Sequence, residues 1–182
     1  MDEQVLIESC LRGDPASCRR LVEAFGGLVM AAALNVLSNR EDAEDACQET
    51  FIQVFRHLDR YDPGRPFRTW LLTIAHRRSL DMIRKKRRFR RFTARSGFEL
   101  ADTPASRSAN PGPSGPLPSR FLEGLTPKER TALSLWANEG CTAGDISEIL
   151  GCKAATARVY LFNARRKIKS ILENEHEALQ NS

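Results

Sequence analysis

At 182 residues with 41% apolar content, the chain suits one large or two small domains whose cores can be filled without metal or cross-links. A formal charge of +5 and an isoelectric point near 9.2 lean towards an anionic partner. No signal-peptide pattern opens the chain, no apolar run approaches the ~18 residues needed to span a bilayer, and five cysteines without a C-x-x-C pair offer no zinc spacing, so a soluble cytoplasmic protein without membrane insertion is expected.

Residues Glu3 to Leu11 predict an amphipathic helix carrying Val5, Leu6, Ile7, Cys10 and Leu11, which Gly13 can close. Asp14 suits an N-cap and Pro15 the first position of a second helix that turns Leu21, Val22, Phe25, Leu28, Val29 and Leu34 inward. A kink or break is expected at Gly26-Gly27, and Ser38-Asn39 should end this helix and cap the next. A third helix then runs from about Arg40 to Leu58, with Ala43, Ala46 or Cys47, Thr50, Val54 and Leu58 inward. Glu41, Asp45, Gln48 and Ile52 fall on another face. The five carboxylates between Glu41 and Glu49 meet no basic residue. The helix macrodipole accounts for Glu41 and Asp42 but not for Glu49 or an exposed Ile52, so this face reads either as a solvated helix start or as a partner-binding surface.

Tyr61-Asp62-Pro63-Gly64-Arg65-Pro66 fixes a turn, after which a fourth helix is apolar at first (Phe67, Trp70, Leu71, Leu72, Ile74, Ala75, Leu80, Ile83). It then becomes cationic, with eight Lys or Arg from Arg84 to Arg95 and no acid, a run that repels itself unless an anion is near. From Phe92 to Arg120, prolines lie among Gly, Ser and Ala, the composition of a linker. Its ~27 residues can stretch to roughly 85 Å but average about 30 Å as a relaxed coil. Two independent halves that grip distant sites when this segment is pulled taut are therefore expected.

The second half opens on Thr126, Pro127 and Glu129, a capping box with Pro at the first helical position. That helix should carry Ala132, Leu133, Leu135 and Trp136 inward until Gly140. Thr142 to Asp145 repeats the signal for a short helix holding Ile146, Ile149 and Leu150, closed by Gly151, and a longer helix follows from about Lys153. This is a helix-turn-helix pattern. The last helix has one stripe of Ala157, Leu161, Ala164, Ile168 and Ile171 and a second of Ala155, Arg158, Val159, Phe162, Asn163 and Arg166. Both stripes cannot be core. Arg suits guanine, Asn suits adenine, and Val or Phe can touch a thymine methyl, a mixture fitted to the major groove; the plainer reading packs Phe162 on a neighbour and leaves the arginines solvated.

These residues resemble the extracytoplasmic-function group of sigma-70-type sigma factors over nearly the whole chain. Region two resembles Asp42-Ala43-Glu44-Asp45, Gln48-Glu49-Thr50-Phe51, Phe67-Arg68-Thr69-Trp70-Leu71, Ile74-Ala75, Asp81 and the arginine tract. Region four resembles Leu125 to Arg130, Ile146 to Gly151 and Ala164 to Lys167. The resemblance implies an all-α protein: a region 2 helical bundle (1–92), a flexible Pro/Gly/Ser-rich linker (93–119), a region 4 helix-turn-helix domain (120–175) and a tail (176–182). It implies a promoter-specificity subunit of RNA polymerase that binds the beta-prime clamp helices through Asp45, Gln48, Glu49 and Ile52. Minus-ten DNA would be held by Arg65, Arg68, Trp70, Arg77, Arg84 and Arg87, although Trp70 at helical spacing also reads as core. The minus-thirty-five element would be read by Lys153, Ala155, Thr156, Arg158, Val159, Phe162, Asn163 and Arg166. The beta flap and an anti-sigma factor are further partner classes. The family's Arg-Asn after Ile-Ala is replaced here by His76-Arg77, and Asn163 stands for a usual Arg, so promoter sequence does not carry over. The alternatives are a stand-alone helix-turn-helix regulator, which leaves the acidic helix unexplained, and an RNA-binding or scaffold protein using the arginine tract alone. No phosphate loop, nucleophile elbow or metal-ligand set is present, so no catalytic residue, cofactor or metal is expected.

Overall fold

The computed structural model describes residues 3–95, 121 and 124–180. Its elements are α1 (Glu3–Leu11), α2 (Pro15–Leu37), α3 (Arg40–Arg56), a 3-10 turn (Leu58–Arg60), α4 (Phe67–Arg95), α5 (Pro127–Glu139), α6 (Ala143–Leu150) and α7 (Ala154–Gln180), with no strand among the described residues. The expected linker falls mainly on residues 96–120, outside them.

Local chemistry sets the ends of these helices. The Asp14 carboxylate accepts from the amides of Ala16 and Ser17 to start α2, and Asn39 accepts from the Asp42 amide to start α3. Thr126 with Glu129, and Thr142 with Asp145, each form a reciprocal capping box. Gly140 and Gly151 close α5 and α6 at φ of 65° and 60°, where a side chain would be strained.

The first four helices enclose a core of Ile7, Cys10, Leu21, Val29, Phe51, Val54, Leu58, Phe67, Leu71 and Ala75. Three expectations fail in α2. The helix runs unbroken through Gly26-Gly27. Each glycine costs about 1 kcal/mol relative to Ala, whereas burying a Leu or Val stabilises by roughly 1.5–3 kcal/mol. Leu21 and Val29, both fully buried, lie on either side of the pair and hold the helix through it. The helix is also long and apolar enough to cross a membrane by length and composition, although no such run was expected. Its Ala31, Ala32, Ala33 and Val36 are buried and it packs on α1, α3, α4 and α5, which is the environment of a core helix. Val22, expected inward, is exposed.

The halves are not separate. Ala32 of α2 and Leu72 of α4 share a cluster with Ala132, Leu135, Ile146, Ile149, Leu150 and Ala157 of the second half. Helix α5 packs on α2, and α6 on α4. Within this contact the amide nitrogen of Asn35 donates to Ser134 Oγ at 2.6 Å, and both residues are buried. The Arg130 guanidinium also donates to Ser38 Oγ. Apolar faces on α2 and α4 that periodicity assigns to the first core are therefore shared with the second half. Trp136, expected inward, is 41% exposed, because Ala132, Leu133 and Leu135 already fill the interior side of α5. It stacks instead under the Arg165 guanidinium, 4.2 Å from the ring centre.

Candidate nucleic-acid interface

Three surfaces gather the residues singled out in the sequence. On α3, Ala43, Ala46, Thr50 and Val54 are buried, which turns Asp45, Gln48 and Ile52 to the outside, Ile52 being 49% exposed. Glu49 is half-buried and accepts from the Gln53 side chain at 2.9 Å. Phe55, one turn beyond Ile52, extends this face with a partly exposed ring that the sequence reading did not include. The acidic start of α3 meets the basic part of α4 directly, since Lys86 Nζ donates to both Asp42 oxygens at 2.6 Å.

The turn before α4 is built by the Tyr61 hydroxyl donating to the Arg65 carbonyl and the Gly64 amide donating to Asp62 Oδ1. Trp70 is half-buried, with ring centres 5.5 Å from Tyr61 and 5.7 Å from Phe67, so its indole takes part in the aromatic end of the core. Arg77, Arg84 and Arg87 are exposed, and Arg84 pairs with Asp81 one turn back. Arg84, Arg87, Arg88, Arg91 and Phe92 line a shallow depression along the projecting end of the helix. Arg65 and Arg68 are turned elsewhere: Arg65 meets Glu148 of α6 at 3.2 Å, and Arg68 donates to Glu139 of α5. The six candidate minus-ten residues are thus divided between an open cationic helix end, an aromatic cluster and the contact between halves.

His76, beside Arg77, is fully buried, and both of its ring nitrogens lack a hydrogen-bond partner among the described residues. Burial pushes its pKa down to about 4, which keeps the ring neutral at physiological pH.

On α7, Ala157 and Ala164 are fully buried, and Leu161, Ile168 and Ile171 partly so, against α5 and α6. The opposite stripe is open. Lys153, Ala155, Arg158 and Arg166 are exposed, Val159 is 53% and Phe162 64% exposed, and Thr156 and Asn163 are half-buried at its margin. The Arg166 guanidinium lies 5.9 Å from the Phe162 ring centre. A partly buried pair fixes α7 against the start of α5: Lys167 Nζ donates to Glu129 at 2.8 Å and to the Gly124 carbonyl at 3.0 Å. Burial alone would raise the Glu129 pKa, but the bonds from Lys167 and Thr126 and the lysine charge outweigh it and lower it.

Sequence reasoning missed the contact between halves, formed by Asn35, Ser38, Arg65 and Arg68 on one side and Arg130, Ser134, Glu139 and Glu148 on the other. One signal was available: Asn35 is an amide inside the apolar run Val29 to Leu37, where a buried polar group requires a partner.

The sequence comparisons identify both halves of the chain. Residues 21–89 match sigma-70 region 2 and residues 119–168 match sigma-70 region 4. The chain is 33% identical over 134 residues to the RNA polymerase sigma factor CarQ of Myxococcus xanthus, an alignment covering 71% of this chain and 74% of CarQ. The chain belongs to the extracytoplasmic-function group of sigma-70-family sigma factors. This sigma factor is also 31% identical over 166 residues to the extracytoplasmic-function sigma factor SigE of Mycolicibacterium smegmatis; the alignment covers 88% of the chain but spans only 64% of the length of SigE. CnrH of Cupriavidus metallidurans, solved in complex with the cytosolic domain of CnrY, shares the fold at a TM-score of 0.65 and 24% identity, covering 94% of this chain and 97% of that one. As a sigma factor it directs transcription initiation and is not an enzyme.

Proposed function

We propose that this sigma factor divides promoter recognition among the three surfaces. The α3 face of Asp45, Gln48, Glu49 and Ile52 docks on the beta-prime clamp helices of core RNA polymerase. The α4 residues Arg77, Arg84 and Arg87, joined by Arg65, Arg68 and Trp70, hold minus-ten DNA during opening. The outer stripe of α7 enters the major groove of the minus-thirty-five element, with Arg158, Phe162 and Asn163 at base edges and Lys153, Ala155, Thr156, Val159 and Arg166 around them. The beta flap receives region 4. The protein works in the cytoplasm under an anti-sigma factor, a reading supported by the likeness to CnrH, whose structure holds the cytosolic domain of CnrY.

The observation that carries this reading is the division of α7. One stripe is closed off by Ala157 and Ala164 at 0% exposure, while a second, mixed cationic, amide and aromatic stripe stays open along the same turns. A helix that only completed a bundle would not need Val159 and Phe162 in water. The test is run-off transcription with purified core polymerase on a library of randomised promoter templates. Transcripts that depend on this chain and share a two-part motif are expected; an unenriched library would contradict the reading.

A further inference from the structure

We propose that the projecting end of α4 is a platform for an unpaired nucleic-acid strand, with Phe89 and Phe92 stacking on bases and Lys85, Arg88 and Arg91 meeting the phosphates beside them. Nine consecutive residues, Arg84 to Phe92, are exposed, so about two and a half turns of helix face solvent all round. Seven of the nine are Lys or Arg, and the other two are Phe89 and Phe92, 56% and 69% exposed. The five platform residues form one patch. Phe89 and Phe92 are three positions apart and so are neighbours on the helix surface, while Lys85 precedes Phe89 and Arg88 precedes Phe92 by four. Arg88, Arg91 and Phe92 also line the shallow depression along this end. None of the five is among the residues assigned to minus-ten DNA, so the platform stands or falls apart from that reading.

Three kinds of polyanion suit so cationic a helix, and the two rings decide among them. Duplex DNA keeps its bases stacked inside and offers phosphates and groove edges. The helix fitted to that partner is α7, which is split into a closed apolar stripe and one open mixed stripe. The end of α4 has no such division. A lipid surface needs apolar residues gathered on one face with the cations opposite. At about 100° per residue, Lys85 falls between Phe89 and Phe92 around the helix axis, which puts an ammonium within the apolar patch itself. An unpaired strand fits both features, because its bases are free to lie on aromatic rings while its phosphates pair with the cations that flank them. Displaced DNA and RNA share this chemistry.

The test uses the full-length protein and fluorescence anisotropy against salt, with labelled oligo-dT, oligo-rU and an oligo-dT·oligo-dA duplex of ~12 nucleotides per strand, within the length a single-strand site covers. Circular dichroism confirms that each variant is helical. Phe89→Leu with Phe92→Leu keeps the apolar bulk and removes the π-faces. It should weaken strand binding by about tenfold or more, with the salt slope and duplex binding unchanged, and Phe89→Trp with Phe92→Trp should retain strand binding. Arg88→Ala with Arg91→Ala should instead lower the slope of log affinity against log salt by about 1.4, since each phosphate neutralised on a single strand contributes about 0.7. The tighter of the two strands names the source, oligo-dT pointing to displaced promoter DNA and oligo-rU to a transcript. Parent affinity in the leucine pair overturns the stacking, and an unchanged slope in the alanine pair overturns the phosphate contacts. Equal weakening on the duplex overturns the platform, because the rings would then serve no unpaired base. Tighter binding of the parent to phosphatidylglycerol vesicles than to either strand also overturns it and assigns the patch to a lipid surface.

Discussion

His76 illustrates how one side chain can carry a pH signature. It lies on α4 between Leu72 and Leu80, which both face the cluster shared with region 4, and its ring is buried without a hydrogen-bond partner among the described residues. Because its folded pKa is lowered from 6.5 to about 4, the unfolded chain takes up the proton first as pH falls. Stability is therefore highest above about pH 6.5, declines towards pH 4 and gains no further penalty from this group below that, a total on the order of 3 kcal/mol. Thermal melts between pH 7.5 and 4.5 should show a falling midpoint in the parent and a flatter profile in His76→Leu. Parallel profiles would show that the ring is not protonation-sensitive where it sits. Glu129 contributes in a lower window: its depressed pKa gives stability that is present above the ordinary carboxylate range and lost as pH falls through the folded value. At this scale the sequence was informative about caps, since Asp14, Asn39, Thr126 and Thr142 act on neighbours two or three residues away. Arg68 and Trp136 were not legible, because their partners, Glu139 and Arg165, lie far along the chain.

At the scale of the element, α2 shows which local signals yield to packing. Gly26-Gly27 reads as a break, yet the helix continues, and a Cβ added at either position would meet nothing within 4 Å. Gly27→Ala should therefore stabilise the protein by ~0.4–1 kcal/mol, seen as a raised denaturant midpoint with an unchanged slope. A lowered midpoint would mean that the glycine serves a conformation other than this helix. On α3, Asp45→Arg with Gln48→Ala should abolish pull-down of core polymerase, as losing a buried, hydrogen-bonded interfacial ion pair costs ~2–5 kcal/mol. Retention equal to the parent would place the polymerase contact elsewhere. For α4, the Arg77→Ala, Arg84→Ala double variant should weaken the permanganate signal of opened minus-ten DNA, and normal opening would remove those arginines from the melting step. The stripes of α3 and α7 were legible because exposed and buried residues alternate with the helical period. The shared face of α2 and α4 was not, since Ala32 and Leu72 have the same spacing whether their cover comes from region 2 or from region 4.

For the whole molecule, the family pattern made both regions readable, but their mutual docking depends on contacts such as Asn35 with Ser134, 99 positions apart, that no local period encodes. The central claim is that the open stripe of α7 reads the upstream promoter element once region 4 is placed by polymerase. The most direct measurement is sequencing of transcripts made by reconstituted holoenzyme from templates randomised at that element, for the parent and for Arg158→Ala, Phe162→Ala, Asn163→Ala and Arg166→Ala. The account predicts that Asn163→Ala relaxes preference at one base position, a loss of ~1–3 kcal/mol in discrimination, while Arg166→Ala lowers output from all sequences alike if it meets only phosphate. Base preference identical to the parent in Arg158→Ala, Phe162→Ala and Asn163→Ala would contradict the account and assign promoter reading to another face of the helix.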